Sequence, residues 1–282
     1  MLIIKKKYMI EKYRDHKLKD LKKLVVRKLK LPLYLGSQHD CPACGAHLRR
    51  FKPMWKSFPR KLKEHGFIYP LDQFETMNWQ AYLCPSCDCS DRERLYALYL
   101  RAWLAEHLSS QAKPVIVEFA PSLALSMWLR TDKSVSYRSA DLYRPNVDDK
   151  IDITNMPEYK DNSIDMFLCS HVLEHISNDC AAMSELYRIL KSDGFGIIMV
   201  PLIVGVDETN EDTSVDSDAL RWKYYGQNDH VRLYGKADFV KRLQDVGFKV
   251  EALDKNYFGV DRFQRCGIGD NAVLYVVKKQ TL

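Results

Sequence analysis

The 282-residue sequence predicts an α/β fold: a doubly wound, mainly parallel sheet of seven strands with an antiparallel edge strand, preceded by a small cysteine-bearing module and a basic helix. Three observations carry this. From Val115 onward, short apolar runs (115–119, 134–139, 164–169 and 195–200) alternate with helical patterns, as parallel strands joined by right-handed crossovers do. Met183, Leu186, Tyr187 and Leu190 make one apolar helix stripe that Ser192-Asp193-Gly194 stops. A short extended segment before Asp152 adds a third strand in chain order, and 248–253 with 272–277 close the sheet as its antiparallel edge.

The length accommodates one α/β domain plus an accessory module. A hydrophobic fraction of 46% with 28% charged residues supports a sizeable core and excludes wholesale disorder. No apolar run approaches the roughly 20 residues of a membrane span. Lys5-Lys6-Lys7 cuts off Met1-Leu2-Ile3-Ile4 before a signal-peptide core forms, so a cytoplasmic location is expected.

Residues 1–32 read as a basic amphipathic helix, with Leu18, Leu21, Val25 and Leu29 on one side, ended by Leu31-Pro32. Residues 1–30 hold twelve Lys/Arg against Glu11, Asp15 and Asp20; this +9 exceeds the whole-chain +6, so the remainder carries −3. A broad nucleic-acid face on the main body is therefore disfavoured. The helix either packs its stripe on the body or docks on an anionic membrane surface or RNA.

Residues 33–90 form the second unit. Cys41-Pro-Ala-Cys44-Gly45 and Cys84-Pro-Ser-Cys87 are two knuckles whose spacing lets tight turns aim four thiolates at one ion, predicting a structural zinc site of Cys41, Cys44, Cys84 and Cys87. Cys89 competes as a ligand, and His47 is a weaker spare. The 39 residues between the knuckles must fold out as an excursion. Its stretch from 49 to 63 mixes Arg49, Arg50, Lys52, Lys56, Arg60, Lys61 and Lys63 with Phe51, Trp55 and Phe58, a composition able to stack bases and hold phosphates. Residues 91–112 are a linking helix: Ser90-Asp91-Arg92-Glu93 has the Ser-x-x-Glu form of a capping box ahead of Leu95, Leu98, Tyr99 and Trp103. The sheet domain occupies 113–282.

In an open α/β sheet a ligand lies beyond the C-terminal strand ends. Those ends carry Glu118-Phe119-Ala120-Pro121-Ser122, Asp141-Leu142, Asp152-Ile153 and Ser170-His171. A carboxylate at the second strand end suits a ribose, whose two hydroxyls it can accept. Each polar residue also has a structural reading: Asp141 and Asp152 as loop caps, His171 as a satisfied core histidine, Glu118 as a partner of a lysine.

Over about 113–279 the sequence resembles the class I, Rossmann-like S-adenosylmethionine-dependent methyltransferases, and the UbiE-like, or type 11, group in particular. The resemblance is carried by Ile151-Asp-Ile-Thr-Asn-Met-Pro, by Asp161 through Ser170-His171-Val-Leu-Glu-His175-Ile, and by Glu185 through Gly194. It implies S-adenosylmethionine as cofactor, with Asp141 and Leu142 at the ribose, Asp152 and Ile153 at the adenine, Ser170 and His171 flanking, and Glu118, Phe119, Ala120 and Pro121 at the methionine end. The first loop departs from the family's glycine-rich pattern. Proline forbids the positive φ that glycine offers, so the loop must pass the cofactor by another path. Phe-Ala-Pro here, the N-terminal Cys-x-x-Cys knuckles and Asp229-His-Val-Arg232 together resemble a subfamily some of whose members are associated with cell-surface glycan synthesis.

In-line methyl transfer needs alignment, exclusion of water and, for an alcohol or amine acceptor, a base. His230 is the candidate base with Asp229 as its orienter, Arg232 as an anchor for an acidic substrate group and His175 as second choice. The acidic loop 206–218 reads as a mobile cover or an ordinary solvated loop. Three functions compete: a methyltransferase acting on a small-molecule or glycan acceptor, which is favoured; an RNA methyltransferase similar to ribosomal guanine enzymes with an N-terminal zinc finger; and a non-catalytic zinc-containing binding protein.

Overall fold

The computed structural model describes residues 26–107 and 113–280. Most of the basic helix expected at 1–32, including Leu18, Leu21 and Val25, lies outside these residues. Within them, 26–30 are helical, and Pro32 sits in the 3-10 turn Leu31–Tyr34 that follows.

The cysteine module opens with strand β1 (Leu35–Asp40) antiparallel to the short β2 (His47–Leu48). The first knuckle is the turn between them: Gly45 donates its backbone N–H to the Cys41 carbonyl at 2.8 Å from a φ of 72° that side-chain-bearing residues rarely adopt. The second knuckle closes in the same way, from Asp88 N–H to the Cys84 carbonyl at 2.9 Å. The excursion between them folds onto the sheet domain. Phe74 bridges Ile203, and Glu75 N–H donates to the Leu202 carbonyl at 2.9 Å. Leu62 and Phe74 there share an apolar cluster with Ile203, Val215, Tyr225 and Leu233.

The capping box forms as expected. Ser90 N–H donates to Glu93 Oε2 at 2.5 Å and Glu93 N–H to Ser90 Oγ at 3.3 Å, starting the helix Asp91–His107. One turn in, Arg94 is fully buried. Its five N–H groups meet five backbone carbonyls: Cys266 at 2.6 Å, Tyr82 at 3.1 Å, Cys89 at 3.2 Å, Gly267 at 3.0 Å, and Ala81. Its guanidinium carbon lies 3.9 Å from the centre of the Phe51 ring.

Six strands form the main sheet: β3 (Val115–Phe119), β4 (Ser136–Ala140), β5 (Ile164–Ser170), β6 (Leu190–Met199), β7 (Phe248–Leu253) and β8 (Leu274–Lys279), in the order β4-β3-β5-β6-β8-β7. The β3–β4, β3–β5 and β5–β6 pairs are parallel, and β8 runs antiparallel to both β6 and β7. The mixed, mainly parallel sheet is the expected one, with two differences. The segment before Asp152 makes only isolated bridges, Ala140 with Asp149 and Asp152 with Asn155, so the sheet has six strands among the described residues instead of seven. The antiparallel strand is β8, one place in from the edge, which β7 occupies. The helix Asp179–Ile189 also runs directly into β6, so Ser192-Asp193-Gly194 lies within the strand. Because the chain leaves β3 for β4 on one side and returns to β5 on the other, the strand order reverses at β3, where a crevice opens.

Removing the Arg94 side chain leaves five buried carbonyls without donors, each at roughly 1–3 kcal/mol before relaxation. Arg94→Ala is expected to lower the unfolding free energy by about 3 kcal/mol or more in denaturant titration, and Arg94→Lys by nearly as much, because one ammonium cannot reach all five. A loss below about 1 kcal/mol for Arg94→Ala would contradict this role.

Candidate active site and cysteine cluster

The crevice is built from three adjacent strand ends. Phe119 stands in register with Ala140 on β4 and with Cys169 on β5, so Ala120, Asp141 and Ser170-His171 emerge side by side. Ala120 and His171 both adopt left-handed backbone, at φ 49° and 55°. For a residue with a Cβ this costs about 1–2 kcal/mol. The glycine-less loop thus makes the turn that glycine usually makes, with the positive φ at Ala120, one residue ahead of the proline.

The expected cofactor residues are held as follows. Glu118 is buried, and its carboxylate accepts from Ser122 N–H at 2.7 Å, Tyr137 OH at 2.6 Å and Ser126 Oγ at 3.2 Å. Burial raises its pKa above the usual carboxylate value. Glu118 therefore shapes the loop and the start of the helix Leu123–Thr131; its partners are hydroxyls and a backbone N–H, where a lysine was the structural expectation. Asp141 Oδ1 accepts from the N–H groups of Tyr143 at 2.7 Å and Arg144 at 2.8 Å, leaving Oδ2, which lies 3.4 Å from Arg144 Nε. The Arg144 guanidinium reaches on to the Pro121 carbonyl, strapping the first loop to the second. Asp152 Oδ1 caps its own turn through Thr154, whose hydrogen bond lowers the Asp152 pKa. Phe119 and Ile153 are buried, Leu142 is exposed, and Ser170 Oγ bonds Tyr96 OH at 2.6 Å.

His171 lies beside a residue that the sequence marked only as part of a capping box. Arg92 donates to His171 Nε2 at 3.0 Å. Arginine has no acceptor, so Nε2 carries the lone pair and Nδ1 the proton. Nδ1 lies 3.2 Å from Glu174 Oε1, in charge range but without hydrogen-bond geometry. Burial, and then the Arg92 charge, push the His171 pKa down to about 4, so the ring is neutral at pH 7.

Arg92 and His171 line a cavity of about 250 Å3 together with His230, Tyr225, Gln227 and Val200-Pro201-Leu202 beyond β6. Met54, Trp55, Phe58, Phe74 and Tyr82 of the cysteine module complete its wall. Of the aromatic residues in the 49–63 stretch, Phe58 and the half-exposed Trp55 face this cavity and Phe51 packs on Arg94, while Arg49, Arg50, Lys56, Arg60, Lys61 and Lys63 remain exposed. A second cavity of about 890 Å3 lies on the other side of Arg92, between the residual helix and the module, lined by Arg27, Lys30, Trp55 and Glu93 among others.

His230 is 1% exposed. Its Nδ1 donates to the Tyr225 carbonyl at 3.0 Å and its Nε2 has no hydrogen-bond partner. Asp229 is not its orienter: the exposed Asp229 carboxylate is 3.5 Å from His175 Nδ1, and its backbone carbonyl accepts from that atom at 3.2 Å. The turn at 228–229 directs the two side chains to different partners. Arg232 is not free for substrate either. It donates to the carbonyls of Leu173 at 3.1 Å, Ile176 at 2.5 Å and Ser177 at 2.9 Å and pairs with Glu211 at 2.8 Å, clamping the turn after β5. Glu211, paired also with Arg242, pins the acidic loop, and Gly235 lets the 207–208 backbone lie where a Cβ would clash.

In the module five thiols converge. The Sγ of Cys41 lies 3.4 Å from Cys89 and 3.8 Å from Cys87, and that of Cys44 lies 3.9 Å from Cys84. Cys41, Cys84, Cys87 and Cys89 form a mutually close, largely buried set, and the exposed Cys44 stands at its rim against Cys84. A tetrahedral ion with sulfur at roughly 2.3 Å needs sulfurs roughly 3.8 Å apart, close to the 3.8 Å between Cys41 and Cys87 and the 3.9 Å between Cys44 and Cys84. His47 instead pairs with Asp40 at 2.7 Å.

A family model described as a methyltransferase domain matches residues 84–253, more than half of the chain and from the second knuckle to β7. The chain belongs to this methyltransferase-domain family. Its sheet is that of the class I S-adenosylmethionine-dependent methyltransferases. An uncharacterized protein of Methanocaldococcus jannaschii is 31% identical over 106 residues, 38% of this chain and 39% of that protein, so the match spans about two fifths of its relative. Among solved structures, a methyltransferase of Archaeoglobus fulgidus shares 12% identity at a TM-score of 0.41, covering 67% of this chain and 93% of that one. The YcgJ protein of Bacillus subtilis shares 15% at 0.40, covering 66% and 100%. No helix among the described residues is long and apolar enough to cross a membrane.

The left-handed Ala120 yields a stability prediction. Ala120→Gly is expected to raise the unfolding free energy by about 0.5–1 kcal/mol, and Ala120→Val to lower it by about 1 kcal/mol or more. Equal stabilities for the two variants would show that the loop does not hold this turn.

Proposed function

We propose that the protein transfers a methyl group from S-adenosylmethionine to a small acceptor, a sugar or other glycan precursor in preference to RNA, in the 250 Å3 cavity. The observation that carries this reading is the cavity itself: it adjoins His171 at the strand ends, is walled by aromatic side chains suited to a sugar face, and contains a buried imidazole with a free nitrogen. RNA is disfavoured because Met54, Phe58, Phe74 and Tyr82 of the module wall this cavity and the chain after residue 30 carries a net charge of −3, which does not favour a phosphate backbone. The UbiE-like group and the Phe-Ala-Pro subfamily belong to the same proposal.

The cofactor's ribose diol is assigned to Asp141 Oδ2, the adenine to the Asp152-Ile153 turn, and the methionine end to the space between Phe119-Ala120-Pro121 and Ser170-His171. Arg92, cationic and already positioned by His171, is added as the partner of the cofactor's carboxylate. When bound, the cofactor supplies an electrophilic methyl on sulfur. The chain's part is to align the acceptor, exclude water and activate the acceptor atom, which falls to His230; Asp229 contributes by holding His175. Zinc in the cysteine cluster is the structural metal, fixing the module that walls the cavity.

Two measurements test this. Calorimetry with S-adenosylmethionine is expected to give one site per chain, weakened about tenfold in Asp141→Asn, which keeps the turn-capping oxygen and loses the charge. Undetectable binding by folded wild-type protein would sink the proposal and favour a non-catalytic binding protein. Elemental analysis should find one tightly held zinc at the cysteines, lost in Cys89→Ser and retained in Cys44→Ser; the reverse pattern would restore Cys44 as the ligand.

A further inference from the structure

We propose that Glu174, His175 and His230 form a binding site for a divalent first-row transition-metal ion at the wall of the acceptor cavity, distinct from the cysteine cluster. One donor atom from each residue lies within 4.8 Å of the others. Shifts of the order of 1 Å would bring them to the roughly 3.4 Å spacing of donors around an ion with bonds of roughly 2.1 Å.

The donors are prepared for an ion. Glu174 is fully buried, and neither of its carboxylate oxygens has a hydrogen-bond partner, His171 Nδ1 lying 3.2 Å away outside hydrogen-bonding geometry. His230 Nε2 is likewise buried and unpaired. Unpaired buried polar atoms are costly, and a buried carboxylate is costlier still without a cation. Both imidazoles donate from Nδ1 to a backbone carbonyl, His175 to Asp229 and His230 to Tyr225. This second-shell pattern fixes the tautomer and leaves Nε2 as the coordinating atom.

The framework around them is rigid. Glu174 and His175 sit in the 3-10 turn Leu173–His175, which Arg232 clamps on both sides through the Leu173 and Ile176 carbonyls. Val231 N–H donates to the Glu174 carbonyl at 2.8 Å, tying the two ligand-bearing segments together. The His175 and His230 rings meet edge to face at 4.7 Å. Two imidazoles and one carboxylate suit zinc, iron(II), cobalt or nickel above magnesium or calcium, which prefer oxygen. Three protein donors leave at least one position open, and His230 places it beside the cavity. An acceptor hydroxyl bound there would lose its proton to water more readily, the ion then taking over the activating role that His230 Nε2 has in the metal-free site. That consequence rests on the methyltransferase reading; the site does not.

The test is metal binding. Full-length protein, its cysteine cluster left zinc-loaded and any weaker site emptied by brief dialysis against a carboxylate chelator, is titrated with cobalt(II) and followed by visible absorption and calorimetry. One equivalent per chain is expected, with the d–d bands of nitrogen- and oxygen-ligated cobalt and no thiolate-to-cobalt charge-transfer band. His230→Ala and Glu174→Gln should weaken uptake at least tenfold with cysteine-bound zinc unchanged. His175→Ala, at a part-exposed side chain, gives the same reading should the buried variants fail to fold. No uptake by the wild type, uptake with a thiolate band, or equal uptake in the variants would overturn the proposal.

Discussion

Arg94 is the constraint on which the rest of this molecule depends. A guanidinium offers five N–H donors in a fixed fork, and here each one ends on a main-chain carbonyl, two from Ala81 and Tyr82 of the module, one from Cys89 beside the knuckle and two from the 266–267 turn before β8. The residue sits on the linking helix, so three parts of the chain far apart in sequence are located by one side chain. Burying this charge without a direct ion pair is tolerated because every donor is satisfied, Phe51 presents its ring face to the guanidinium, and the buried Asp91 carboxylate lies within electrostatic range. With that joint in place, the module becomes a wall of the 250 Å3 cavity and not a tethered finger.

The same economy governs the crevice. Polar groups near the strand ends are mostly spent on holding backbone: Glu118 on the first loop, Asp141 and Asp152 on their own turns, Arg232 on the turn after β5. What remains open is narrow: Asp141 Oδ2, which has only the long 3.4 Å contact with Arg144, the Arg92–His171 pair, and the unpaired Glu174 and His230 atoms. Backbone strain is concentrated here too, at Ala120 and His171. Strain and unsatisfied polarity that coincide at one place in a well-packed domain mark where binding energy is to be recovered.

Much of the fold was legible in the sequence because it rests on local periodicity. The runs at 115–119 and 248–253 became strands with the same bounds, and Ser90 with Glu93 formed the cap that their spacing promised. The misreadings share a cause: they concern where side chains go in three dimensions. Cys89 joins Cys41, Cys84 and Cys87 in one mutually close set because the turn after the second knuckle carries it inward, which a pair spacing does not encode. Asp229 and His230 are neighbours in sequence and face different partners. Arg232, in an apparently substrate-facing motif, is a clamp. Arg92 and Glu174 escaped notice because a capping-box interior and a 3-10 turn are unremarkable in sequence; the only available signal was the density of charge in Asp91-Arg92-Glu93-Arg94 ahead of an apolar helix.

The central claim is that the three adjacent strand ends hold S-adenosylmethionine despite lacking the usual glycines. Backbone amide chemical-shift mapping with S-adenosylhomocysteine, the demethylated cofactor, tests it most directly. The account predicts saturable shifts concentrated at 119–122, 141–143, 152–154 and 170–171, with the Arg92 side chain moving in step. Saturable shifts confined to other parts of the chain, or none at all, would contradict it.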